Sequence, residues 1–101
     1  MSLLDVLHRC EGFEWDEANV SHIAERHDVR AVECEQALLN RPLVVADDRA
    51  HSQNESRYYA LGRTDDGRHL FVVMTVKGSF LRVVTARDMS RRERKEYRDV
   101  E

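Results

Sequence analysis

The spacing of hydrophobic and polar residues changes along the chain at about Pro42. Before this proline, apolar residues recur at helical spacing in two segments, one beginning after Asp16, a residue suited to cap a helix, and one over about 31–40. Pro42 ends the second helix because the residue before a proline is pushed out of helical geometry. A short helix ending near His8 and a short extended stretch at 13–15 precede them.

After Pro42 the pattern predicts strands separated by turns. The segment Thr64–Gly67 is a hairpin turn in which Gly67 is suited to a positive φ. The run Leu70–Val76 is apolar at nearly every position, so we expect a central strand with both faces covered. The predicted strands cover residues 43–45, 57–63, 68–76 and 80–87.

The last helix has a clear start at Ser90, which forms a capping box with Glu93. In this helix Tyr97, together with the preceding Met89, can face the sheet. The predicted fold class is therefore α+β, with N-terminal helices packed on an antiparallel meander of about four strands and a C-terminal helix.

The composition indicates one soluble domain over residues 1–101, with 42% hydrophobic and 35% charged residues. The longest apolar run is far shorter than the ~18 residues that a membrane span needs. The first ten residues lack the pattern of a signal peptide. Cys10 and Cys34 have no metal-type spacing, so we expect reduced thiols and a cytoplasmic location.

The net charge of −3 conceals a division of charge along the chain. Residues 82–98 carry seven basic and three acidic side chains, a net +4, whereas the rest of the chain carries −7. Such a pattern is typical of a protein with a polyanionic partner at one face. The alternative is a solvated helix whose Glu and Arg side chains pair with each other.

The strand 80–87 holds two arginines among apolar residues. Strict alternation places Arg82 on one face with Phe80, Val84 and Ala86, and Arg87 on the other face. An arginine on an apolar face is costly to bury unless it is paired or lies at the edge of a site. Either Arg82 pairs with an acid such as Glu55 or Glu93, or it binds a phosphate through its guanidinium group.

The loop before residue 57 carries groups that can move a proton. A metal-free ribonuclease needs a base for the 2′-hydroxyl, an acid for the 5′-oxygen and cations for the phosphorane charge. His51 or Glu55 could be the base, and Tyr97 or His51 the acid. The cationic clamp would be formed by Arg57, Arg82 and Arg87.

The histidines do not predict a metal site or another cofactor. His22 and His27 are five residues apart on one helix, about 500° around its axis, so we expect them on different faces. The chain also lacks a glycine-rich phosphate loop.

Several motifs in order resemble the BrnT family of ribonuclease toxins from type II toxin–antitoxin pairs. The resemblance extends from about Phe13 to Tyr97. It rests on "FEWD" (13–16), "ERHDV" (25–29), "DRAHSQNESR" (48–57), Gly62, Gly67-Arg68, "FVVMT" (71–75), "RVVTAR" (82–87), and Glu93 with Tyr97.

The resemblance implies a RelE-like fold and RNA cleavage without a metal or cofactor, which would inhibit translation. It also implies neutralisation by a small antitoxin with a ribbon-helix-helix part, and binding of operator DNA only through the toxin–antitoxin complex. By residue, the implied site comprises His51, Glu55, Arg57, Arg82, Arg87 and Tyr97, with Arg91, Arg94 and Lys95 of the basic helix as RNA-binding residues.

The chain departs from the family pattern at four positions. The family has lysine where this chain has Asn19, asparagine at Ile23, glycine at Asp28 and, commonly, alanine at Met89. A second hypothesis is therefore a non-catalytic module, a degenerate toxin that keeps only the antitoxin interface or binds nucleic acid through its basic helix.

Overall fold

A computed structural model describes residues 3–48 and 56–101. These residues form an α+β fold, which confirms the predicted class. The elements in chain order are α1 Leu3–His8, β1 Gly12–Glu14, α2 Glu17–His27, α3 Ala31–Leu39, β2 Val44–Asp47, β3 Arg57–Arg63, β4 His69–Lys77, β5 Phe80–Asp88 and α4 Arg91–Arg98.

The strands form one five-stranded sheet in the order β1-β5-β4-β3-β2. Strands β2 to β5 are antiparallel neighbours, and β4 lies in the centre, as its continuous apolar run predicts. The expectation of about four strands in an antiparallel meander needs a correction, because β1 adds a fifth strand parallel to β5. A parallel pair needs no hairpin, so no local turn signal announces this pairing.

Helices α2 and α3 cover one face of the sheet. Ile23 of α2 and Ala37 of α3 are buried there against alternate residues of the strands, including Val72 of β4 and Val83 of β5. The helix start at Asp16 is as predicted, since its carboxylate accepts a hydrogen bond of 2.7 Å from the backbone of Ala18. We call this side of the sheet the helix face.

Helix α4 packs on the opposite face. Tyr97 and Met89 are buried against Leu61 of β3, as predicted. The predicted capping box is also present, with Ser90 and Glu93 exchanging hydrogen bonds of 2.8 and 3.2 Å. We call this side of the sheet the α4 face.

A β-bulge in β5 changes which side chains share a face. Met74 of β4 pairs with Val83 and Val73 pairs with Thr85, so the register skips Val84. Beyond the bulge the alternation is reversed, which buries Ala86 on the helix face. Strict alternation, which placed Arg82 and Arg87 on opposite faces of the sheet, was therefore wrong.

The bulge brings Arg82 and Arg87 to the same face. Arg82 pairs with Thr75 and Arg87 pairs with Phe71, and these two partners are four residues apart on β4. Residues four apart in a strand point to the same side, about 13 Å apart along the strand. Both arginines therefore lie on the α4 face.

Three of the described residues, Asp28, Gly67 and Gly78, have left-handed backbone. Gly67 has φ 87° in the turn before β4, as predicted. Asp28 has φ 54° and ends α2, at the position where the resembled family has glycine. Aspartate is among the few residues that adopt this conformation readily, so the departure is compatible with the same helix end.

We expect Gly62→Ala to destabilise the fold by about 3 kcal/mol, because a Cβ at Gly62 would lie 2.3 Å from the carbonyl oxygen of Ala37. Gly12→Ala is the matched control, since its Cβ would meet only ordinary contacts with Phe80 at 3.8 Å. The measurement is urea unfolding of both variants. Equal stability of the two would contradict this close approach of β3 and α3.

Candidate nucleic-acid interface

A row of polar side chains crosses four strands on the α4 face. Arg57 of β3 pairs with Thr75 of β4, which pairs with Arg82 of β5, which pairs in turn with Glu14 of β1. Paired residues in adjacent strands lie side by side, about 5 Å apart. The row therefore places two arginines and one carboxylate together. We call these four residues the cationic row.

Arg82 is the best defined cation of the row. Its side chain is 30% exposed, and its Nε is buried without a hydrogen-bond partner in the described part of the chain. Oε1 of Glu14 lies 3.7 Å from this Nε. The pairing expected with Glu93 is not found, because Glu93 binds another arginine.

Arg57 is the first residue of β3 and is half-buried. Its carbonyl oxygen accepts a hydrogen bond of 2.8 Å from the backbone of Asp48, which holds the ends of β2 and β3 together. The segment between these strands contains His51 and Glu55, and both lie outside the described residues.

Arg87 is engaged by an internal carboxylate. Its two terminal nitrogens donate hydrogen bonds of 2.8 and 3.0 Å to the two oxygens of Glu93, which raise the pKa of Arg87. Its guanidinium carbon also lies 4.1 Å from the ring centre of Phe71, which stacks on Tyr59. Arg87 thus ties the start of α4 to β5.

Tyr97 is not brought together with the cationic row. Its side chain is fully buried, and its hydroxyl donates a hydrogen bond of 2.6 Å to the carbonyl oxygen of Pro42. Burial is the main cause of its raised pKa. The structure therefore gives Tyr97 a packing role between α4 and the chain that enters β2.

Helix α4 presents the predicted basic side chains to solvent. Arg91, Arg94 and Lys95 are all exposed, on the same side of the sheet as the cationic row. A hydrogen bond from Arg68 lowers the pKa of Asp88 despite partial burial, and the charge of Arg94 lowers it further. The charged surface of α4 thus borders the strand that carries Arg82.

Arg68 is a residue whose importance the sequence analysis missed. It donates hydrogen bonds of 2.7 and 3.1 Å to Asp88, one of 2.7 Å to the carbonyl of Asp28, and weaker ones to Glu33. These contacts join the end of α2, the start of α3 and the end of β5. The only local signal is an arginine directly after a tight turn, which does not reveal such distant partners.

The titratable groups of the described residues do not form a metal centre. The rings of His22 and His27 meet edge to face at 5.9 Å, so the expectation that they lie on different faces was wrong. Within residues 3–48 and 56–101, however, no group of three or more possible ligands could hold a metal ion.

Cys34 is a core residue. Burial, with a smaller effect of the nearby Glu33 and Glu35 charges, raises the pKa of its thiol to about 12. A thiol with so high a pKa is protonated at neutral pH and is a poor nucleophile.

No helix among the described residues is long and apolar enough to cross a membrane.

An α+β fold with a cationic row and a basic helix on one face has the features of a protein that binds a polyanion. The family model for the ribonuclease toxin BrnT of type II toxin–antitoxin systems matches residues 15–93. The chain belongs to this family, which confirms the resemblance seen in its motifs. Membership implies an RNA substrate and an antitoxin protein as partner. No curated protein sequence matches the chain.

We expect Glu93→Gln to reduce stability at neutral pH and to flatten its dependence on pH. Burial alone would raise the pKa of Glu93, but hydrogen bonds from Arg87 and the Ser90 backbone outweigh it, and the pKa is lowered. A carboxylate with a lowered folded-state pKa stabilises the fold above its unfolded pKa of about 4.3, and this contribution is lost as the pH falls through the folded value.

The measurement is urea unfolding of wild type and Glu93→Gln between neutral and acidic pH. Glu96→Gln, an exposed position on the same helix, is the control and should leave the neutral-pH stability nearly unchanged. Parallel stability profiles for wild type and Glu93→Gln would show that the Arg87–Glu93 pair contributes nothing.

Proposed function

We propose that this chain is the toxin of a type II toxin–antitoxin pair and cleaves RNA phosphodiester bonds without a metal, thereby inhibiting translation. The observation that carries the proposal is the cationic row, in which Arg57 and Arg82 flank Thr75 on one face of a member of a ribonuclease family. Metal-free cleavage needs fixed cations where the phosphorane charge develops, and guanidinium groups suit that need.

In this proposal the two arginines of the row bind the scissile phosphate. His51 or Glu55 removes the proton of the 2′-hydroxyl, and His51 also remains the candidate that protonates the leaving 5′-oxygen. Tyr97 is disfavoured as that acid, since its buried hydroxyl donates to Pro42. Glu55 precedes Arg57 by only two residues in the sequence.

Arg87 has a different role in the proposal. Its bidentate pair with Glu93 means that a phosphate would have to compete with a carboxylate already held at 2.8 Å. We assign it the role of fixing α4 on the face that carries the row, about 13 Å along the strand from Arg82. The exposed Arg91, Arg94 and Lys95 then bind phosphates that flank the cleaved bond, by charge and without base contacts.

The fold, the location and the partners in this proposal are taken from the family resemblance. We propose a RelE-like fold formed by residues 1–101 as a single domain in the cytoplasm, where the RNA is found. A small antitoxin with a ribbon-helix-helix DNA-binding part would neutralise the toxin. Operator DNA would be bound only through the complex, a division of labour that fits the net negative charge of this chain.

A second candidate function is a binding module without catalysis. The specific observation in its favour is that the polar groups of Arg87 and Tyr97 are both engaged inside the protein. Such a module would bind RNA with an affinity that falls steeply with salt, and it would leave the RNA intact.

We expect Arg82→Ala to lower the rate of RNA cleavage about 100-fold, the scale of losing one group that stabilises transition-state charge. Stability should change by less than about 1 kcal/mol, because the side chain is partly exposed and its ion pair is long. The measurement is cleavage of RNA in the presence of EDTA, with thermal unfolding of each variant.

Arg92→Ala is the matched control, since it removes the same charge from an exposed position on α4. An unchanged rate in Arg82→Ala would remove Arg82 from the site. Intact RNA after incubation with folded wild type, together with salt-sensitive RNA binding, would overturn the ribonuclease in favour of the binding module.

A further inference from the structure

The carboxylate beside Arg82 has no role in the function proposed above. Glu14 precedes the residues matched by the family model, which begin at residue 15. Its side chain is 42% exposed, and one oxygen, Oε1, lies 3.7 Å from Nε of Arg82 and 4.0 Å from Nζ of Lys77. A single carboxylate oxygen thus lies between two cations of the α4 face.

The backbone of Glu14 is anchored by the sheet and by its neighbours in the chain. Glu14 is the last residue of β1 and stands directly beside Arg82 in the parallel pairing of β1 with β5. The start of the same strand is held by a hydrogen bond of 2.6 Å from the backbone of Glu11 to the carbonyl of Ser79. Two residues after Glu14, Asp16 caps α2, so the chain is anchored on both sides of it.

The carboxylate of Glu14 lies at the Nε edge of the Arg82 guanidinium. Nε of Arg82 is buried and lacks a hydrogen-bond partner among the described residues, which is an unfavourable state for a charged donor. The distance of 3.7 Å to Glu14 is slightly longer than a hydrogen bond, so the two groups attract each other through their charges. A carboxylate on the Nε side leaves the two terminal nitrogens as the edge for a ligand.

We propose that Glu14 is a positioning residue that holds Arg82 by its Nε edge and so aims the terminal nitrogens at an RNA phosphate. This inference rests on the proposed function, because it assumes that Arg82 binds phosphate. A planar guanidinium forms a bidentate pair with a phosphate only when it is correctly oriented. A contact that fixes this orientation therefore strengthens binding.

Two other roles for Glu14 predict different results. A carboxylate that merely neutralises Arg82 would repel a phosphate, so its removal would tighten binding. An exposed ion pair without a role in binding would change neither affinity nor rate when broken. The positioning role alone predicts that removing a negative charge weakens the binding of a polyanion.

The test uses a 2′-deoxy oligonucleotide, which the protein cannot cleave by attack of a 2′-hydroxyl. We expect Glu14→Ala to weaken binding of this oligonucleotide by about tenfold. The reason is that a misaligned Arg82 would lose part of its charge-assisted hydrogen bond to phosphate. In an Arg82→Ala background the same change should have no further effect, since no guanidinium remains to be oriented. Glu14→Gln, which keeps the size of the side chain but removes its charge, should weaken binding about as much as Glu14→Ala, because the attraction at 3.7 Å acts through charge.

Glu11→Ala is the control for charge, because it removes an exposed carboxylate from the segment that leads into β1. It should leave binding unchanged or slightly tighter. Thermal unfolding of each variant shows that the comparison is made on folded protein. The rate of RNA cleavage by Glu14→Ala should fall at least as much as its affinity.

The outcomes separate the two proposals. Tighter or unchanged binding by Glu14→Ala, or equal weakening with and without Arg82, overturns the positioning role even if the wild type cleaves RNA. Weakening that depends on Arg82 supports the role even if the wild type leaves RNA intact, in which case only the ribonuclease proposal fails. A wild type that binds no oligonucleotide overturns both.

Discussion

The skipped residue in the pairing of β4 with β5 is the constraint on which the site depends. With strict alternation, Arg82 and Arg87 would point to opposite faces, and one of them would enter the apolar layer beneath α2 and α3. The register shift at Val84 places both on the α4 face and turns Ala86 into the core instead. Asn19 of α2 contributes here, since its amide donates a hydrogen bond of 3.2 Å to the carbonyl of Val83, beside the bulge.

The two faces of the sheet have different roles. Among the described residues the helix face supplies most of the buried core, and the arginines that border the sheet fall into two kinds. Arg68 and Arg87 are bound to internal carboxylates and hold the ends of helices and strands together. Arg57 and Arg82 lie in the cationic row. The charge of these arginines is therefore partly structural, and in the proposed function the cationic row supplies the part that binds phosphate.

Local signals in the sequence predict much of this fold because their causes are local. The cap at Asp16, the capping box at Ser90, the positive φ of Gly67 and the central position of β4 each depend on a few neighbouring residues. The family motifs likewise gave the candidate site residues, and Arg57 and Arg82 are found on the same face of the sheet, on either side of Thr75.

The features that the sequence could not predict depend on distant partners. The parallel pairing of Glu14 with Arg82 joins residues 68 positions apart in the chain, and the contacts of Arg68 join three separate elements. The bulge is equally hidden, because Val84 has the same β-branched chemistry as its neighbours and only the pairing with β4 reveals the skip. The face on which each arginine lies, and the carboxylate with which it pairs, are therefore tertiary properties.

The central claim is that the α4 face of the sheet, around the cationic row, is the surface that meets nucleic acid. The most direct measurement is an NMR titration of the labelled protein with a short 2′-deoxy oligonucleotide at low salt. The account predicts that the largest amide shifts fall on the row and on α4, at Arg57, Thr75, Arg82, Arg91 and Lys95. Shifts concentrated on the outer surfaces of α2 and α3, with the row unaffected, would contradict it.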